Sequence, residues 1–157
     1  MKAVFSTCGT SILTNIADDE EKKLINKYSN FNENEIPEQD KNRIAAFLVK
    51  AKGVMEAPTR NEAKKYSAEI NGIITYLEKA PYMNGDILWL IVTDTWLGGE
   101  TGNICKDWLK KQQYSVQIYK QKDLQTEDYD SFRCGLAGLA RWMKENIEPM
   151  RDSYSIV

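Results

Sequence analysis

Val4-Phe5-Ser6-Thr7-Cys8-Gly9-Thr10-Ser11-Ile12-Leu13-Thr14-Asn15 decides the reading of this chain. An apolar strand breaks abruptly into a small, hydroxyl-rich turn, and an apolar-periodic helix starts at once. Gly9 lets backbone approach a ligand closely, and Thr7, Thr10 and Ser11 set hydroxyls beside free N–H groups at a helix start. A turn of this kind at the carboxyl end of a strand suits an anion or a phosphate. It equally suits a plain helix cap, so the turn alone does not separate the two.

A second stretch repeats the design. Asp86-Ile87-Leu88-Trp89-Leu90-Ile91-Val92 is a continuous apolar run, as expected of a strand covered on both faces in a parallel sheet. Thr93-Asp94-Thr95-Trp96-Leu97-Gly98-Gly99-Glu100-Thr101-Gly102-Asn103 reads as a glycine-rich loop leading into a helix that carries Ile104, Cys105, Trp108 and Leu109. Two strand–turn–helix units predict two turns along one sheet edge, which favours a nucleotide-like ligand. Gly98-Gly99-x-x-Gly102 is neither the G-x-G-x-x-G fingerprint nor a P-loop, and without a Gly-Lys-Ser/Thr ending it argues against ATP hydrolysis. Asp94 suits ribose hydroxyls or a turn cap. Trp96, in the same loop, suits stacking on a base. Cys8 lies within the first turn but has no basic neighbour, so it reads as a packing residue. In Ser67-Ala68-Glu69-Ile70-Asn71, Glu69 and Asn71 read either as buried hydrogen-bonding groups or as surface residues.

Composition narrows the field further. At 157 residues, 42% hydrophobic and 28% charged, the chain is predicted to be one globular domain. A formal net charge of −2 argues against direct binding of duplex DNA, so a polyanionic ligand would need a local positive field. Cys8, Cys105 and Cys134 are odd in number and lack metal-ligand spacing, which predicts reduced thiols in the cytoplasm and no metal site. Met1-Lys2 leads straight into the first strand, leaving no room for a signal peptide. No apolar run nears the roughly 20 residues of a spanning helix, so no membrane is expected. The chain has no histidine. That excludes Ser-His and Cys-His nucleophile pairs, imidazole zinc sites and a histidine base. No cofactor is expected.

The remaining elements follow from apolar spacing. Lys2–Thr7 is the first strand and Ser11–Asn15 opens a helix, interrupted by the charged run 18–23 before Leu24, Ile25 and Tyr28 resume the pattern. Residues 29–40 read as a surface loop. Ile44, Phe47, Leu48, Ala51, Val54 and Met55 mark a second helix, ended by Ala57-Pro58. Thr59-Arg60-Asn61-Glu62 has the capping-box pattern, and Ala63, Tyr66, Ile70, Ile73, Ile74 and Leu77 mark one buried face behind it. Ser115–Lys120 is a third strand. Phe132, Leu136, Leu139, Ala140, Met143 and Ile147 stripe a long helix, and Tyr154–Val157 starts a fourth strand. The order β-ααα-β-α-β-α-β predicts an α/β fold with a mostly parallel sheet.

Thr7-x-Gly9-Thr10-Ser11-x-Leu13-Thr14-Asn15, Ser67-Ala68-Glu69-Ile70-Asn71, Thr93-Asp94-Thr95 with its glycines, and Phe132-x-x-Gly135-Leu136-x-x-Leu139 occur in this order. Together they resemble the CRISPR-associated Rossmann-fold (CARF) sensor domains of type III CRISPR accessory proteins, in particular the APE-type CRISPR-associated proteins. The resemblance implies a Rossmann-like sheet with helices on both faces. It also implies a homodimer that binds cyclic oligoadenylate, most often the tetra-adenylate ring, across its interface. By motif, Thr7, Gly9, Thr10, Ser11 and Asn15 would form the first ligand loop, and Thr93, Asp94, Thr95, Gly98, Gly99 and Gly102 the second; Cys8 and Trp96 join the ligand-binding set by their place within these loops. A two-fold ring suits an isologous interface. The alternative the family offers is a metal-independent ring nuclease that sets a ribose 2′-hydroxyl in line with the scissile phosphate. Ser11 is then the local candidate for a supporting role, with the other catalytic residues unknown. Family members commonly continue into Asn-x-Thr-Gly-Gly-Phe-Lys, and this chain stops at Val157, where that motif would begin. Residues 1–157 are therefore expected to be one sensor domain cut before that motif and an effector domain.

Overall fold

The computed structural model describes residues 1–124, 128–150 and 152–157. Strands β1 (Lys2–Cys8), β2 (Ile87–Thr93), β3 (Val116–Gln121) and β4 (Ser153–Ile156) form one sheet in the order β3-β2-β1-β4, with every neighbouring pair parallel. Helices α1 (Ser11–Ile16), α2 (Asp19–Tyr28), α3 (Glu38–Val54), α4 (Arg60–Tyr66) and α5 (Ala68–Lys79) join β1 to β2. Helix α6 (Trp96–Lys111) joins β2 to β3, and α7 (Tyr129–Asn146) lies between β3 and β4. The fold is the Rossmann-like α/β arrangement that the sequence predicts. Among the described residues, no helix is long and apolar enough to cross a membrane.

Strand alternation sends successive side chains to opposite faces. Val4, Cys8, Leu88, Leu90 and Val92 join the core beneath α1–α6, together with the fully buried Ile12, Leu13, Ile70, Leu97 and Leu109. Ala3, Phe5, Ile87 and Ile91 face α7, with Ile147 at the end of that helix. This second layer is thinner and aromatic. Trp142 stacks on Tyr119 at 3.8 Å between ring centroids and meets Trp89 edge-on at 4.9 Å, while Leu136 stays 45% exposed. The apolar run of β2 is thus explained by cover on both faces.

Three expectations change. The crossover from β1 holds five helices, because Ala17 is an extended break just before the charged run, which starts a separate helix, and Ser67 is an extended break that the apolar spacing runs straight across. Asp18 caps α2 through Glu21 in a capping box, and the Ser67 hydroxyl accepts from the Ile70 amide to start α5. The loop over residues 29–40 contains a 3-10 turn at Glu33–Glu35, and α3 begins directly after Pro37. The glycine-rich segment after β2 is helix, not loop: α6 begins at Trp96 and contains Gly98, Gly99 and Gly102.

The amino edge of the sheet is closed by Asp86. Its buried carboxylate accepts from the amides of Lys2 at 2.8 Å and Met83 at 2.9 Å, and the Lys2 ammonium lies 3.8 Å away. Burial pushes this carboxyl up. The two amide bonds and the charges of Lys2 and the amino terminus outweigh that and hold it below the usual carboxylate range.

Candidate functional site

The register pairs Thr7 with Ile91 and Cys8 with Val92, so β1 and β2 end side by side and their turns are neighbours. Val92 and Thr93 pair with Lys120 and Gln121, which brings the end of β3 to the same edge. Carboxyl edges of parallel sheets are where such folds take ligands.

The first turn is held by Glu69, on the first turn of α5 and 8% exposed. Its Oε1 accepts from the Gly9 amide at 3.0 Å, and its Oε2 accepts from the hydroxyls of Ser11 at 2.5 Å and Ser67 at 2.7 Å. The Ser11 oxygen in turn accepts from the Ala68 amide at 3.2 Å. The Gly9 N–H is therefore not free for a phosphate; a carboxylate of the chain itself already occupies that position. Thr10, the residue before α1, makes no side-chain cap bond. Asn15 ties α1 to the end of α4 by donating to the Tyr66 carbonyl at 2.9 Å.

The second turn is held locally. Thr95 caps α6 by accepting from the Gly98 amide at 3.2 Å, and its hydroxyl meets that of Thr93 at 2.9 Å. The Trp96 amide donates to the Phe31 carbonyl, and the Trp96 ring packs against the main core rather than standing in a loop. The glycines let α6 press on the sheet. A Cβ on Gly102 would lie 2.6 Å from Val92 Cγ1, and one on Gly98 would collide with Thr93 and Thr95. Asp94 is exposed between β2 and α6.

Thr7 lies on the same face of β1 as Ala3 and Phe5 but is exposed, because a cavity of about 290 Å³ opens there. It is lined by Thr7, Cys8, Gly9 and Thr93 from the strand ends and by Phe132 and Leu136 from α7. A groove of about 370 Å³ between α3 and α6, lined among others by Lys52, Glu56 and Lys111, lies away from both turns. The site is placed at the sheet edge because the first-turn residues and the strand ends converge there. Lys120 supplies a cation at this edge: its Nζ would be 3.5 Å from a Cβ on Gly99.

Cys8 points into the main core, its Sγ 3.8 Å from Cys105 Sγ, which is 3.7 Å from the Ser67 hydroxyl. The bond to Cys105, then burial, then the nearby Glu69 charge push the Cys8 thiol well above its ordinary value. A protonated, buried thiol is a packing group, as its sequence context predicts.

The edge thus gathers Thr7, Cys8, Gly9, Thr10 and Ser11 beside Thr93, Asp94 and Thr95, while Gly98, Gly99 and Gly102 form the helix wall behind them. Two residues gain weight over the sequence reading. Glu69 stood out as polar on an apolar helix, but two of its three partners, Ser11 and Gly9, are 58 and 60 positions away. Lys120 read only as the end of the third strand.

The family model of CRISPR-associated protein (Cas_APE2256) matches residues 64–157. That span holds Ser67, Glu69, the second turn and α7. No curated protein matches the chain.

Proposed function

Since the chain belongs to the family of CRISPR-associated protein (Cas_APE2256), with a role in CRISPR defence, we propose that it is a sensor domain binding cyclic oligoadenylate at a homodimer interface. The tetra-adenylate is the ring to test first, because the resemblance to CARF domains of type III systems implies that ring most often. The observation that carries this reading is the side-by-side ending of β1 and β2, with both polar turns and the cavity at one edge. Two copies related by a two-fold axis would present the same turns twice to a two-fold ring. The cavity walls Phe132 and Leu136 suit the flat apolar face of a base, and the Lys120 ammonium suits a phosphate without a basic overall charge. Light scattering combined with thermal melts tests the reading. A dimer mass and a raised melting temperature with cyclic tetra-adenylate, larger than with the hexa-adenylate ring, are expected. A monomer mass with and without ring would refute it.

A second reading is a metal-independent ring nuclease. It is favoured by Ser11, whose hydroxyl is fixed on one side by Glu69 and on the other by the Ala68 amide. Linear di-adenylate formed from labelled ring by this chain would establish it; intact ring leaves the sensor.

A further inference from the structure

We propose that Cys8 and Cys105 form a redox switch: a hydroperoxide joins the two thiols in a disulfide that ties the end of β1 to α6, and a dithiol reductant reopens it. The switch lies in the core beneath the carboxyl edge and does not depend on which ligand that edge takes.

The two sulfurs are brought together by the close approach of helix to sheet. Cys8 pairs with Val92 in the β1–β2 ladder. Gly102 lies against Val92, where a Cβ would stand 2.6 Å from Val92 Cγ1. Gly98, Gly102 and Cys105 recur at the spacing of one helix face. A helix that sits low on β2 at Gly102 therefore presents Cys105 to the neighbouring strand one turn later. The result is a sulfur–sulfur contact of 3.8 Å between residues that are 4% and 0% exposed. A disulfide bond is about 2.05 Å long, so the sulfurs need to approach by about 2 Å more. Two reacting groups held this close in one chain react as an intramolecular pair. Cys134 is exposed on α7, in the opposite layer, and has no such partner among the described residues.

The polar neighbours give a departing proton its path. Ser67 gives its own proton to Glu69 at 2.7 Å and accepts the Ile70 amide, so Cys105 is the donor in its 3.7 Å contact with Ser67. Cys8 donates in turn to the Cys105 sulfur. Cys8, Cys105, Ser67 and Glu69 thus form one hydrogen-bonded chain that ends on a carboxylate. In the reduced protein Cys8 stays a protonated packing group. Cys105, next to the chain's acceptor end, is the sulfur that reacts first. It passes its proton down the chain and takes one oxygen of the hydroperoxide as a sulfenic acid. The O–O bond breaks, and the other oxygen leaves, once protonated, as an alcohol, or as water from hydrogen peroxide. The Cys8 sulfur then attacks Cys105: the S–S bond forms, the S–O bond breaks, and the oxygen departs with the Cys8 proton as water. Two thiols and one hydroperoxide give one disulfide, one alcohol and one water. The reactant reaches the pair by local opening. Cys8 is the last residue of β1, and the six-residue helix that follows it has no side-chain cap.

The test treats the full chain carrying Cys134→Ser, which leaves the core untouched, with hydrogen peroxide. Titratable thiols in denaturant should fall from two to none, and the intact mass should drop by two hydrogens. Peptide mapping without reductant should find Cys8 joined to Cys105 within one chain. The melting temperature should rise by about 5–10 °C and amide exchange at Gly9 should slow by about 10-fold, both returning with dithiothreitol. Cys8→Ser in the same background should show neither change. Thiols that stay free under peroxide that oxidises the exposed Cys134 of the parent overturn the switch. Sulfinic or sulfonic acids without a link, or a disulfide only between chains, overturn it as well. So does a linked pair with unchanged melting and exchange.

Discussion

The turn after β1 and the turn after β2 stand side by side at the carboxyl edge, and they are stiffened in opposite ways. The second is built from its own neighbourhood. Thr95 caps α6, Thr93 bonds to Thr95, and Gly98 and Gly102 bring the 16-residue helix hard against Thr93 and Val92. The first leads into a helix of only six residues with no side-chain cap, and is organised by one carboxylate from α5. Packing makes a wall. A single remote carboxylate holds a turn that its own helix leaves uncapped.

Removing that carboxylate should have the largest effect. Glu69→Ala leaves three donors without their acceptor and should destabilise the fold by about 3 kcal/mol in urea denaturation. Amide exchange should quicken from Gly9 to Leu13 while the start of α6 stays protected. Equal loss of protection at both turns would show that they are one unit.

Packing against α6 comes next. Gly102→Ala must displace Val92, and Gly98→Ala meets the Thr93 carbonyl oxygen at 2.9 Å as well as two hydroxyls. Each should cost about 2 kcal/mol despite a helix-propensity gain of about 1 kcal/mol. A variant as stable as the parent would mean that the helix is not pressed on the sheet. Thr95→Ala removes the cap and the hydroxyl bond to Thr93 and should cost about 1 kcal/mol, with no change in exchange at Gly9. Gly72→Ala, in α5 with nothing within 4 Å of its Cβ, should have the opposite sign and stabilise by about 0.5–1 kcal/mol. Melting curves read all four on one scale.

Much of this architecture is legible in the residues. The alternating and continuous apolar runs name all four strands, and Thr7–Ser11 and Thr93–Thr95 mark both turns. The misread parts share a cause: their physics is tertiary. Apolar spacing from Ala63 and Tyr66 to Ile70 continues across Ser67, so the break shows only once Ser67 is seen capping α5 and bonding Glu69. Three glycines in seven residues argue for a loop by propensity, and the contact of α6 with β2 overrides that. Glu69 is visible as a polar residue on an apolar helix, but its partners Gly9 and Ser11 lie across the fold. The cysteine pair Cys8–Cys105, 97 positions apart, is hidden for the same reason.

As a sensor, the protein would take a cyclic oligoadenylate at the carboxyl edge of its sheet, between two copies of the chain. Calorimetric titration of the purified protein with cyclic tetra-adenylate tests it most directly. Saturable heat with one ring bound per two chains is expected. No heat at roughly 50 µM protein and excess ring would contradict it.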